Sequence, residues 1–231
     1  RLTSAVVRLL GVDAGFTAES YVATSSARLA IETDATALTL QTFRAGGEDT
    51  ATHSDTVMNG VPVGQPVTIP WKARHRGATL NFAIGPWPTG VYFVKLTASD
   101  GRIGYAPFVV RPTVLGATSR VAVVMPTNSW QAYNFRDADG NGWGDTWYAK
   151  GAQSTVALGR PYTRRGVPPQ WRKYDAGVLR WLSATGKQPD FLTETDLESI
   201  RTAEELLRLY ASVVFPGPAE HATPHARALT R

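Results

Sequence analysis

Apolar and polar positions alternate in two different textures along this chain. From about Ser20 to Pro112 the apolar residues come in short period-two runs, Leu29 with Ile31 and Leu38 with Leu40, as half-buried strands require. Val91–Thr97 (VYFVKLT) predicts a further strand, Asp100-Gly101 a hairpin turn, and Tyr105–Val110 the returning strand. Short strands punctuated by Gly, Pro and Asp predict an antiparallel β-sandwich of immunoglobulin-like type over residues 1–112. Arg111-Pro112 closes it, because proline ends a strand, and Thr113–Ser119 reads as a linker.

Past Ser119 the texture changes. Arg120–Met125 is an apolar run suited to a parallel strand covered on both faces. Asp175–Thr185 predicts a helix with Val178, Leu179 and Leu182 on one face and Gly186 as its C-cap. Pro189–Leu192 reads as a short strand. Thr195 is expected to cap a helix over Asp196–Tyr210, with Glu198 at the capping-box position. Ala211–Phe215 reads as another buried strand, closed by Pro216-Gly217. Strands alternating with helices predict a doubly wound α/β unit over residues 113–231. Lys150–Lys173, rich in proline and arginine, is expected to be an ordered loop, and no internal repeat is present.

The densest chemistry lies in Pro126–Tyr148, PTNSWQAYNFRDADGNGWGDTWY, which predicts a buried strand delivering a polar, aromatic loop. In open α/β sheets ligands sit at the carboxyl ends of strands, so this loop is the expected working edge. Asp137, Asp139, Asn141 and Asp145 occupy positions one, three, five and nine of a calcium-type loop, with Gly142 at the sharp turn. Position twelve is Tyr148, so the bidentate glutamate is missing, and a metal-free turn rich in Asp and Gly has the same composition. The aromatics Trp130, Tyr133, Phe135, Trp143, Trp147 and Tyr148 suit either a packed core or a pocket wall. Tryptophan pairs also stack on sugars, which adds a noncatalytic carbohydrate- or polymer-binding reading with a calcium-ordered loop.

Composition narrows the classes. Hydrophobic residues at 43% and charged residues at 19% describe a globular chain, and 231 residues suffice for one large domain or two ordinary ones. No apolar run is long enough for a membrane span. The net charge of +5 comes from scattered arginines, the densest group being Arg160, Arg164, Arg165, Arg172 and Lys173, and no nucleic-acid motif accompanies them. Cysteine is absent, which removes disulfides, thiolate ligands and cysteine nucleophiles, and leaves both an exported and a cytoplasmic location open. The chain begins at Arg1 without methionine and stops soon after a strand-like run, so a lost upstream segment and an incomplete last domain are expected. Ser129 follows a strand without the G-x-S-x-G elbow of serine hydrolases, and His221 and His225 have zinc-like spacing but lack the zincin glutamate. Neither pattern is a strong signal.

The segments TNSWQAYNFRDADGNGWGDTWY, RRGVPPQWRKYDAGVLRWLSATGKQPDFLTETDLE and VVFPGPAEHATP resemble the N,N-dimethylformamidase large-subunit-like family, and GVYFVKLTASDGRIGYAPFVVRP echoes the strands of its sandwich. The resemblance covers most of the chain. It implies a β-sandwich joined to a glutamine-amidotransferase-like α/β domain, and an amide hydrolase rather than a cysteine amidotransferase. It further implies a single iron ion held by two tyrosines and a glutamate. Carried over residue by residue, these are Tyr133 of WQAYN, Tyr174 of RKYD and Glu220 of PGPAEHAT, with Asn128 or His221 orienting water or substrate. Phenolates and a carboxylate are hard oxygen donors suited to ferric iron. The implied partner is a small amide substrate, with no nucleic acid and no membrane; a homo-oligomer is compatible. His221 departs from the family, which carries an aromatic residue after the glutamate.

Overall fold

The computed structural model describes residues 12–71, 78–150 and 154–230. They are built mostly of β-sheet with a few short helices, and none of the sheets closes into a barrel. The first eight strands are β1 (Asp13–Phe16), β2 (Ser20–Val22), β3 (Ser26–Glu32), β4 (Ala37–Arg44), β5 (Val61–Pro70), β6 (Thr79–Ala83), β7 (Gly90–Ala98) and β8 (Ile103–Arg111). They form one sheet in the order β1-β3-β6 and another in the order β2-β8-β7-β4-β5. All pairings are antiparallel except β2 with β8. The predicted hairpin is present, with Val91 opposite Val109 and Thr97 opposite Ile103.

Then follow β9 (Val121–Met125), α1 (Thr127–Ala132), α2 (Trp171–Ala184), β10 (Asp190–Thr193), α3 (Glu194–Leu197), α4 (Ala203–Leu209), β11 (Ser212–Val214) and α5 (Pro224–Leu229). Strands β10, β9 and β11 form a parallel sheet with β9 central.

Side-chain alternation explains why β7 and β9 read as unbroken apolar runs. On one face of β7, Tyr92, Val94 and Leu96 join Phe16, Leu29, Leu38 and Phe108 between the two antiparallel sheets. On its other face Val91 and Phe93 pack with Val123, Met125, Trp130, Trp171 and Leu179. Strand β9 repeats the arrangement: Val123 and Met125 face that shared core, while Ala122 and Val124 face Leu192, Leu197, Leu206 and Tyr210. Both strands are therefore sandwiched, and period-two polarity disappears from them.

Four local expectations are corrected. The stretch after β9 opens as helix α1, not as loop, with Tyr133 as its C-cap. Helix α2 starts four residues earlier than expected, right after Pro168-Pro169, with Gln170 left-handed at φ 63°. The helix expected over Asp196–Tyr210 is broken in two. Thr193, not Thr195, caps α3 through a capping box with Asp196, and Thr202 caps α4 by accepting from the Glu205 amide at 3.2 Å. Between them Ile200 turns inward and is buried. Strand β11 is an edge with Val214 exposed rather than a buried strand. Gly186 does terminate α2: at φ +66° its N–H reaches Ser183 O (3.0 Å) and the Lys187 N–H reaches Leu182 O (2.9 Å), the paired bonds of a Schellman end. No helix among the described residues is long and apolar enough to cross a membrane.

Candidate functional site at the carboxyl ends of the parallel strands

The carboxyl ends of β9, β10 and β11 converge, and Asn128 ties them together. Its backbone N–H, in the first turn after β9, donates to Glu194 Oε2 at 2.7 Å; Glu194 immediately follows β10. Its side-chain Nδ2 donates to the backbone oxygen of His221, in the turn after β11, at 3.4 Å. Trp130 Nε1 donates to Asp175 Oδ2 at 3.1 Å, fastening α1 to α2. Gln131 and Asn134 hold the segment around Arg160 and Pro161 through bonds of 3.0 Å each. Gly217, between β11 and the Glu220 turn, passes so close that a Cβ there would lie 3.0 Å from Pro126 Cγ and 3.2 Å from Asp175 Oδ1. Glycine lets that turn fold over the end of β9.

On this platform sits a polar aromatic cluster. The Tyr133 hydroxyl donates to Glu220 Oε1 at 2.5 Å. The Tyr148 ring stacks on Tyr133 with centroids 4.9 Å apart and planes at 9°. The Tyr148 hydroxyl lies 2.9 Å from His221 Nε2, and His221 Nδ1 lies 3.3 Å from Ser129 Oγ. Trp147 stacks on the same imidazole at 5.3 Å. Hydrogen bonding to Glu220 and then to Tyr148, more than burial, holds the Tyr133 phenol above its ordinary range. Slight burial opposes ionisation of Glu220, yet the Tyr133 hydroxyl, a backbone amide and His221 keep it below the usual carboxylate range. Burial pushes His221 down, against the pull of Glu220.

Tyr174 stands apart from this network. It lies in the first turn of α2, its Cβ 3.6 Å from where a Gly217 side chain would begin, with the Lys173 ammonium 4.8 Å over its ring. Its hydroxyl makes no hydrogen bond among the described residues. His225 points away to Ile200 O at 2.7 Å, so the two histidines do not converge.

Below the cluster lies a buried acid. Glu194 is pushed up to about 7 by burial, against its bond from Asn128 N. Its Oε1, and Asn128 Oδ1 beside it, have no partner among the described residues. Sequence reasoning passed over Glu194 and took Tyr148 only as one aromatic of a core or pocket wall, not as a partner of His221. Both carried a readable signal: Glu194 follows β10 as Asn128 follows β9, and Tyr148 ends the aromatic loop.

The acidic loop closes on itself beside this cluster. Carboxylate oxygens of Asp137, Asp139 and Asp145 come within 4.8 Å of one another. Asp137 accepts from the Gly140 and Gly142 amides at 2.7 and 2.9 Å, and Asp145 Oδ2 from the Ala138 amide at 2.8 Å. The Asn141 side chain is turned elsewhere: its oxygen accepts from Trp143 N at 2.8 Å and its Nδ2 donates to Asp139 at 2.9 Å. Three of the four expected oxygen donors thus converge, and Asn141 serves the turn.

The family model described as N,N-dimethylformamidase beta subunit-like, C-terminal, matches residues 49–230. No curated protein matches the chain. Among solved structures, a superoxide reductase (neelaredoxin) from Ignicoccus hospitalis aligns at 10% identity and TM-score 0.28, covering 44% of this chain and 80% of the other. A cycloisomaltooligosaccharide glucanotransferase from Paenibacillus sp. aligns at 14% identity and TM-score 0.27, covering 55% of this chain and 18% of the other. A beta-glucosidase from Listeria innocua aligns at 12% identity and TM-score 0.24, covering 43% and 16%.

Proposed function

We propose, for a chain that belongs to the N,N-dimethylformamidase beta subunit-like family, metal-dependent hydrolysis of a carbon–nitrogen amide bond at the Tyr133–Glu220 cluster. The observation that carries this reading is the 2.5 Å contact between a phenol and a carboxylate at the carboxyl ends of parallel strands. The donor chemistry fits a hard cation. The Tyr133 hydroxyl donates to Glu220, and with that phenol deprotonated the two would be hard anionic oxygen donors suited to hold ferric iron. Tyr133 and Glu220 would hold one iron, with a second phenol from Tyr174, or from Tyr148 already stacked on Tyr133.

Iron supplies a Lewis acid that polarises the amide carbonyl and activates water. The chain's own groups do the rest. Asn128 locks the Glu220–His221 turn against β9 and so fixes where the ligands stand. His221, held between Ser129 and Tyr148, is positioned to orient water or substrate at the cluster. Hydrolysis adds water oxygen to the carbonyl carbon, breaks the C–N bond and sends a proton to the departing amine. The larger architecture is read as an immunoglobulin-like sandwich over residues 1–112 joined to a glutamine-amidotransferase-like α/β domain over 113–231. Two facing sheets, antiparallel but for the β2–β8 pair, and the parallel β10-β9-β11 sheet support that reading.

Elemental analysis and visible spectroscopy of the purified protein, with turnover of dimethylformamide and larger amides, test it. Bound iron with a tyrosinate charge-transfer band is expected. A folded protein that takes up no iron and shows no band after ferric loading would end the metal reading. A noncatalytic sugar- or polymer-binding role with calcium at Asp137, Asp139 and Asp145 has its own support. Phe135, Trp143, Trp147 and Tyr148 are 47%, 50%, 41% and 49% exposed, more aromatic surface than one loop ordinarily shows water. Calcium without colour, together with saturable oligosaccharide binding, would favour it.

A further inference from the structure

A second cavity lies at the opposite, amino-terminal end of β10, where β4 and β7 meet the last turns of α2. It holds about 440 Å³, within the range of small-molecule sites. Its floor is apolar and buried: Ala45, Val91, Leu179, Leu182 and Phe191. Two cations stand on its rim, Arg44 and Lys187.

Among the described residues neither cation has an acidic partner. Arg44 is half-buried at the end of β4, and its side chain makes one long hydrogen bond, from Nη2 to Thr89 O at 3.4 Å. A guanidinium carries five N–H donors, so most of its capacity is open to a ligand in the cavity it lines. Gly90 leaves room for it, since a Cβ there would stand 3.2 Å from Arg44 Nε. The nearby carboxylate of Glu48 is engaged otherwise, accepting from Gly46 N at 2.6 Å and interacting with Arg180. Lys187 has its backbone fixed by the Schellman bond to Leu182 O at 2.9 Å, while its ammonium has no acidic partner among the described residues.

A half-buried arginine on the wall of an apolar cavity is a ready partner for an anion. The guanidinium fork matches a carboxylate in two-point geometry, and the apolar floor beneath matches a hydrocarbon tail. We infer that this groove binds a small organic carboxylate with an apolar chain, its head on Arg44 and Lys187 and its tail over Leu179, Leu182 and Phe191. The site is separate from the Tyr133–Glu220 cluster and does not depend on the reading of that cluster.

Octanoate is the probe, titrated into the full chain by calorimetry and by heteronuclear NMR. One-site saturable binding is expected, with shifts concentrated at Ala45, Val91, Leu179, Leu182 and Lys187. Arg44→Ala is expected to weaken it about tenfold or more, and Lys187→Ala by a smaller factor. Octanamide, which keeps the chain and loses the charge, and acetate, which keeps the charge and loses the chain, should each bind at least about tenfold more weakly. Lys187→Ala changes an exposed side chain, so it reads the head-group contact even if Arg44→Ala unfolds. Absence of octanoate binding, shifts mapping elsewhere, or octanamide binding as tightly as octanoate would each overturn the assignment.

Discussion

Tyr133 is the residue on which the candidate chemistry turns, because its hydroxyl donates to the Glu220 carboxylate while its ring supports Tyr148. Replacing it with phenylalanine keeps the stack and removes the donor, so iron uptake and any amide turnover should fall at least about tenfold while the melting temperature shifts little. Iron per chain and circular dichroism on the same sample separate the two effects. The second phenol can be decided in the same way. Tyr148 is joined to His221 at 2.9 Å and stacked on Tyr133, whereas Tyr174 has no hydrogen bond within the cluster. Tyr148→Phe is therefore expected to bleach the tyrosinate band more than Tyr174→Phe. The reverse order would restore Tyr174 as the partner that family resemblance implies. Tyr133 and Glu220 came from that resemblance, not from spacing, since a separation of 87 positions gives no local pattern to read. Glu194 was readable only through its place directly after a strand, because its bond to Asn128 crosses between strands.

Among the elements, the central strands were readable while helix starts were not, for a physical reason visible at α3 and α4. Leu197, Ile200, Ala203, Leu206 and Tyr210 recur at spacings of three and four, so apolar periodicity predicts one helix. The break comes from side chains competing for backbone amides. Thr193 and Asp196 close a capping box, the Asp196 carboxylate taking the Thr193 N–H at 2.7 Å and its hydroxyl at 2.8 Å, and Thr202 opens a new turn. Thr193→Ala should then lower stability by about 1 kcal/mol in a urea titration, and Thr202→Ala by a similar amount. Thr195→Ala should be nearly silent, and a loss there as large as at Thr193 would contradict the observed caps. Helix α1 escaped sequence reading because Pro126, Thr127 and Asn128 look like a turn, while the Asn128 amide finds its acceptor on Glu194 from another element. The strands β7 and β9 were legible because burial on both faces makes their apolar runs continuous.

At the scale of the whole molecule, strands β7 and β8 and the parallel β9 and β10 contribute to one shared apolar cluster, and a buried acid lies between β8 and α1. The Glu19 backbone oxygen accepts from Val109 N at 2.8 Å, while its carboxyl reaches toward Thr127 at the start of α1. Both carboxyl oxygens are closed to solvent and lack partners among the described residues. Burial pushes this acid from 4.5 to about 7. A folded-state value raised above the unfolded one means that the folded chain holds the proton more tightly. Its contribution to stability is whole below pH about 4.5 and disappears as pH rises through about 7. The corresponding upper limit is about 3 kcal/mol across that window. Glu194 is pushed up in the same range, partly by Glu19, so the wild-type slope alone does not isolate either acid. The difference between wild type and Glu19→Gln does, because the amide cannot ionise and its stability should fall less between pH 4.5 and 8. If urea midpoints of the two proteins ran parallel over that interval, Glu19 would not be the acid whose ionisation strains the junction.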